Sequence, residues 1–180
     1  MKLKIKPLFI LVTISITACG GGGGGGGDTN ILSHSSSATI EEVLKTAEQS
    51  GELPKLNRGA SVAGPDINNN GVRDDIDAYI DSLPDSVEQK AALRQASAAI
   101  TQAMVIDAAD QNALANALKQ IASASACLHA RYDSLTASSK NLEMEKLTVN
   151  TKERFAAYEA FNNAASGHSF VLPQGDGCAN

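Results

Sequence analysis

The sequence predicts an all-α fold, a small helical bundle of five to six helices. Three observations carry this reading. Apolar residues recur at spacings of three and four through most of the chain beyond residue 39. Aromatic residues are 4% of the 180 positions and Trp is absent, while Ala is abundant; such a chain packs helices closely and lacks the β-branched and aromatic residues a β-sandwich draws on. No segment shows convincing strand alternation.

Taken in order, Thr39-Ile40-Glu41-Glu42 reads as a capping box, in which Thr and Glu each satisfy a free backbone N–H at the helix start. Ile40, Val43, Leu44 and Ala47 share one face, and Ser50-Gly51 supplies a stop, so a first helix is expected over 40–50. Pro54, Gly59, Gly64 and Pro65 make 52–65 a loop. Ile76, Tyr79, Ile80 and Leu83 form a short amphipathic helix. Pro84 breaks it and is expected to open the next, where its missing N–H costs nothing. Leu93, Ala96, Ile100 and Ala103 predict a helix over about 85–107. Asp110 is an N-cap for another, whose face of Leu114, Leu118, Ile121, Ser125 and Leu128 runs to about Tyr132. Leu142 and Leu147 mark a weaker helix. Asn150-Thr151-Lys152-Glu153 reads as a second capping box, followed by a stripe of Phe155, Tyr158 and Phe161 that Gly167 stops.

The first 38 residues have a different character. Lys2, Lys4 and Lys6 precede an apolar run over 8–16, too short to span a bilayer, which takes about 20 residues, but suited to a signal peptide. Ile16-Thr17-Ala18-Cys19 follows and resembles the lipobox of bacterial lipoproteins, with Ile16 where Leu is more usual. The resemblance implies a signal peptide over 1–18, cleavage before Cys19, a diacylglyceryl group on the Cys19 thiol and an acylated new amine. Two or three acyl chains give stable anchoring. The alternative is an ordinary secretory signal with a chance Cys. Gly20 follows Cys19; in Gram-negative lipoproteins Asp at that place is the usual inner-membrane retention signal, so the resemblance implies an outer-membrane anchor, periplasmic or surface-exposed. Residues 19–38, with eight glycines and the tract Ser33-His34-Ser35-Ser36-Ser37, predict a disordered tether with a span of roughly 25 Å. The domain is then expected over 39–180.

Asp66-Ile67-Asn68-Asn69-Asn70-Gly71-Val72-Arg73-Asp74-Asp75-Ile76-Asp77 fits a 12-residue EF-hand-like loop. Asp66, Asn68 and Asn70 place oxygens at positions 1, 3 and 5. Gly71 sits at the sharp turn, Val72 offers its carbonyl at 7, Asp74 falls at 9 and Asp77 closes at 12. The segment resembles the loops of dockerin modules and thrombospondin type 3 repeats, and the resemblance implies a structural Ca2+ site. It covers about 15 residues. Gly64 and Pro65 forbid an incoming helix, so this is a half-EF-hand; the site is single, which argues against carrying over cohesin binding. Three formal negative charges imply affinity of roughly 10⁻⁴ to 10⁻³ M. An Asn/Asp-rich turn without a metal is the alternative reading.

Cys127 and Cys178 are an even pair in an exported chain, so a disulfide is expected, pinning the tail 167–180 onto a helix. A metal site of Cys127, His129 and Cys178 is the rival, although Cys-x-His is not a usual zinc spacing.

Removing residues 1–18 takes away three of 15 basic residues and none of the 20 acidic ones, leaving a net charge near −8; this argues against a nucleic-acid partner. The motifs of zinc proteases, α/β-hydrolases, phosphate loops and dinucleotide folds are absent from the sequence. The expected function is a membrane-anchored, non-enzymatic interaction module with a calcium-stabilised domain. The alternatives are an envelope hydrolase of cell-wall or glycan material with a structural calcium, and a passive structural lipoprotein.

Overall fold

Six helices are the only regular elements among the described residues of the computed structural model, residues 39–169 and 171–179. The signal segment, Cys19 and the tether lie outside them. The helices are α1 (Ile40–Gln49), α2 (Asp74–Ser82), α3 (Val87–Val105), α4 (Gln111–Arg131), α5 (Ser134–Thr148) and α6 (Lys152–Ala165), giving the expected all-α bundle. No helix among the described residues is long and apolar enough to cross a membrane.

Local chemistry sets most helix starts. Thr39 and Glu42 form the capping box. Asp110 accepts from the Asn112 and Ala113 N–H groups, and Asp133 from Thr136. Two starts differ from the sequence reading. Pro84 does not open α3; Ser86 does, through a capping box with Gln89. The cap of α6 is Thr151, one residue later than expected, and its side chain accepts from the Arg154 N–H. Glu153 therefore falls one place short of the position from which a box closes, and Arg154 takes that place.

Helix α3 is central and packs against α2, α4, α5 and α6. Its buried face includes Leu93 and Ile100, set among Ala92, Ala96, Ala99 and Ala103, small residues that let neighbouring helices approach closely. Val72, Ile76, Ile80, Leu93, Ile100, Leu128 and Met144 belong to one core cluster; Ala103, Leu114, Ala117 and Phe161 form a second.

Two predicted stripes are corrected. In α5 the buried positions are Ala137, Met144 and Thr148, while Leu142 is exposed and Leu147 only half-buried. In α6 Phe155 is exposed, and the inward row runs through Arg154, Tyr158 and Phe161 at spacings of four and three. Choosing aromatics alone gave a spacing of three and three, which drifts off a 3.6-residue face.

Cys127 and Cys178 form a disulfide with sulfurs 2.07 Å apart, so both thiols are committed and the rival metal site of Cys127, His129 and Cys178 is not formed. Around the bridge the tail is fastened by Gln95, whose Nε2 donates to the Gly177 carbonyl at 2.8 Å and whose Oε1 accepts from Ala179 N at 2.9 Å.

Candidate functional site

The segment 66–77 folds into a closed loop leading into α2. Gly71 has φ +81° and Asn69 has φ +57°, the left-handed steps that turn the chain sharply. The Asp66 carboxylate accepts from two backbone donors, Asn70 N at 3.1 Å and Gly71 N at 2.8 Å. Asn68 Oδ1 also accepts from Asn70 N, and Asn70 Oδ1 accepts from Val72 N at 2.8 Å. The Nδ2 groups of Asn68 and Asn70 both donate to one atom, Asp77 Oδ2, at 3.1 and 2.5 Å. The side chains of positions 3, 5 and 12 thus meet, and position 1 is joined to them through the Asn70 N–H.

Asp74 is placed differently. Its Oδ1 accepts from Ile67 N at 3.0 Å, closing the two ends of the loop, and its own N–H donates to the Pro65 carbonyl. Val72 is buried, and its side chain enters the core as its place in the loop predicts. Among the described residues no three His, Cys, Asp or Glu side chains group as a metal cluster; the loop set is mixed, with two amides and a backbone carbonyl beside three carboxylates.

Asp77 is pushed up in pKa by burial, but hydrogen bonds from Arg94, Asn70 and Asn68 outweigh that and hold its carboxyl below the usual range. It is ionised at neutral pH and faces two polarised N–H groups. An amide's oxygen and nitrogen ends are nearly isosteric, so a half-turn of each Asn side chain exchanges donors for acceptors at Asp77, giving up the bonds that the two Oδ1 atoms accept from the Asn70 and Val72 N–H groups. The residues therefore suit a hard cation chemically.

The loop is bolted to the bundle by two arginines that the sequence reading passed over. Arg73 is buried; its Nε lies 2.5 Å from Asp75 Oδ1, and it also donates to the carbonyls of Leu147 and Thr148 at the end of α5. Burial pushes Asp75 up, but Arg73 and the Asn57 N–H outweigh it and hold it low. Arg154 is fully buried and spends all five N–H donors on Asn57, Ser61, Val62 and Asn150, none of them a carboxylate. Burial and the neighbouring Arg73 charge both lower its pKa. Its signal was present in the sequence: Arg154 stands four residues before Tyr158 on the apolar row of α6. Arg73 carries no such sign.

Between these anchors Gly64 has φ +75°, and a Cβ there would stand 2.3 Å from Arg73 Cδ. Gly64→Ala is expected to cost about 3 kcal/mol, from left-handed strain plus displacement of a buried guanidinium. Urea denaturation measures it, and a cost below about 1 kcal/mol would contradict this packing.

Beside the loop, a groove of about 970 Å³ lies between the α1–α2 connection, α2 and α5. Its apolar lining includes Leu53, Pro54, Ala78, Tyr79, Leu142 and Leu147. At its edge the Tyr79 hydroxyl donates to Glu143, and Lys140 Nζ lies 3.4 Å from Glu143 Oε2 and 3.5 Å from Asp85 Oδ2. Burial, then the acidic neighbours, raise the pKa of Tyr79 and Tyr132. His129 and His168 are exposed, each bonded to one oxygen.

Comparison with family models, characterised proteins and solved structures finds no match.

Proposed function

We propose that this chain is a lipoprotein, anchored to the outer membrane through Cys19, whose helical domain takes up Ca2+ at residues 66–77 and serves as a non-enzymatic interaction module of the cell envelope. The observation that carries the calcium part is the meeting of Asn68 and Asn70 on Asp77 Oδ2, with Asp66 tied to them. A metal-free turn is formed from neighbouring residues; this one also recruits a carboxylate seven to nine positions downstream. The ligands are Asp66, Asn68, Asn70, the Val72 carbonyl, Asp74 and Asp77. Asp74, tied to Ile67, acts through water, as position 9 often does.

The ion's role is structural. It links the loop to the start of α2, and Arg73 and Arg154 carry that link to α5 and α6. The groove along α2 supports an interaction module over a passive envelope lipoprotein. An envelope hydrolase is the second reading, favoured by the Tyr79, Glu143, Lys140 and Asp85 group at the groove's edge.

Melting curves of wild type and Asp66→Ala, in calcium and in chelator, test the proposal. At about 10 mM calcium and a Kd of about 0.3 mM, the ion stabilises the wild type by about 2 kcal/mol. Asp66→Ala removes the acceptor of the Asn70 and Gly71 N–H groups and is expected to lose about 1 kcal/mol in chelator, and the calcium increment of about 2 kcal/mol on top of that in calcium. Equal loss in both conditions would overturn the metal site.

A further inference from the structure

We infer that Arg94 governs the calcium loop: its guanidinium is an internal cation that competes with the ion for Asp77 and sets the affinity of the site. The inference rests on the calcium reading proposed above and adds a residue outside the loop, on a different helix.

Arg94 projects from α3 toward the flank of α2. Its Nε donates to Asp77 Oδ1 at 2.6 Å and its Nη2 to Asp81 Oδ1 at 2.5 Å. Asp77 and Asp81 are one helical turn apart, so a single guanidinium spans both. The Asp77 side chain is 12% exposed and that of Arg94 29%, so this pair is partly shielded from solvent, whereas Asp81 is 68% exposed.

Asp77 therefore divides its two oxygens. Oδ2 faces Asn68 and Asn70 in the loop; Oδ1 belongs to Arg94. Two consequences follow for an incoming ion. Asp77 closes the loop through one oxygen only, where the last position of an EF-hand normally gives two. A fixed positive charge also stands one carboxylate away from the ion and repels it.

The same arrangement keeps the fold intact without calcium. Arg94 neutralises a part-buried carboxylate that would otherwise be left uncompensated, and it ties α2 to α3. Asp81 is the alternative partner: as the ion draws on Asp77, the guanidinium keeps a carboxylate one turn further along α2. Calcium tightens a domain that is already folded.

The test is calorimetric titration of calcium chloride into the full chain in detergent, as wild type, Arg94→Gln and Arg94→Lys, with melting curves of each in chelator. Arg94→Gln is expected to bind calcium about tenfold more tightly, because the repelling charge is gone and both Asp77 oxygens are free. In chelator it is expected to melt below wild type. Arg94→Lys keeps the charge and is expected to stay within about twofold of wild type. Wild-type binding with unchanged or weaker affinity in Arg94→Gln would overturn this inference and leave the calcium site standing. No binding by any of the three up to about 10 mM, above the range of extracellular calcium modules, would overturn the calcium reading and this inference with it. Should Arg94→Gln fail to fold, Asp81→Asn moves the balance the other way. It leaves Arg94 to Asp77 alone and is expected to weaken binding about threefold; unchanged affinity there would count against Arg94 as the governor.

Discussion

Arg154→Met is expected to cost about 4 kcal/mol, at the far end of what single substitutions do. The side chain is fully buried, and each of its five N–H groups has a protein acceptor: Nε to the Val62 carbonyl at 3.0 Å, one terminal nitrogen to the Asn57 carbonyl and Asn150 Oδ1 at 2.6 Å each, the other to Asn57 Oδ1 at 3.1 Å and the Ser61 carbonyl at 3.0 Å. Met fills much of the volume and donates nothing. Hydrogen bonds from a charged donor contribute about 1.5–3 kcal/mol each, and the acceptors nearest water recover part of theirs. The segment 57–62 has no regular structure of its own; these bonds hold it against α6, together with the Asn57 N–H to Asp75 and Asn150 Nδ2 to the Asn57 carbonyl. Loss of its hydrogen-exchange protection should accompany the lower stability in urea. Arg154→Lys, with three donors in place of a planar fork, should recover less than half of the loss. A cost below about 1.5 kcal/mol would show that the loop is held by something else.

Removing the bridge as Cys127→Ala with Cys178→Ala is expected to cost about 4 kcal/mol, because cross-linking residues 51 apart restricts the unfolded chain strongly. Native contacts compensate little. Among the described residues the tail has no regular structure, Val171 and Leu172 are exposed, and its polar ties include the Gln95 hydrogen bonds, an exposed His168–Gln111 contact and an Arg131–Asp176 ion pair at 3.0 Å that is open to solvent. The helical circular-dichroism signal should persist while a protease gains access to the tail. A stability change below about 1 kcal/mol would mean that the reduced tail stays docked through side-chain contacts alone.

The caps at Thr39 and Asp110 and the rows on α2, α3 and α4 were legible because both ends of each interaction lie within one helical turn. Apolar character alone does not mark the inward face of α5 or α6. Leu142 and Phe155 are exposed, while Thr148 and Arg154 are buried. A buried polar group costs little only when its partners are in place, and those partners are remote: Ser97 for the Thr148 hydroxyl, and residues 57–62 for Arg154. The ligand set of the loop could be read residue by residue from its spacing, but Arg94 could not, since its bond to Asp77 spans 17 positions and two helices.

By itself the sequence determined the helical class, the helix limits to within a few residues and the turn chemistry of 66–77, because these depend on periodicity, caps and backbone preferences over four to twelve neighbours. Only the tertiary structure decided which polar side chains lie inside. Desolvating a guanidinium or a carboxylate is tolerated where acceptors or donors from distant segments converge on it, and that convergence exists only once α2, α3, α5 and α6 are packed.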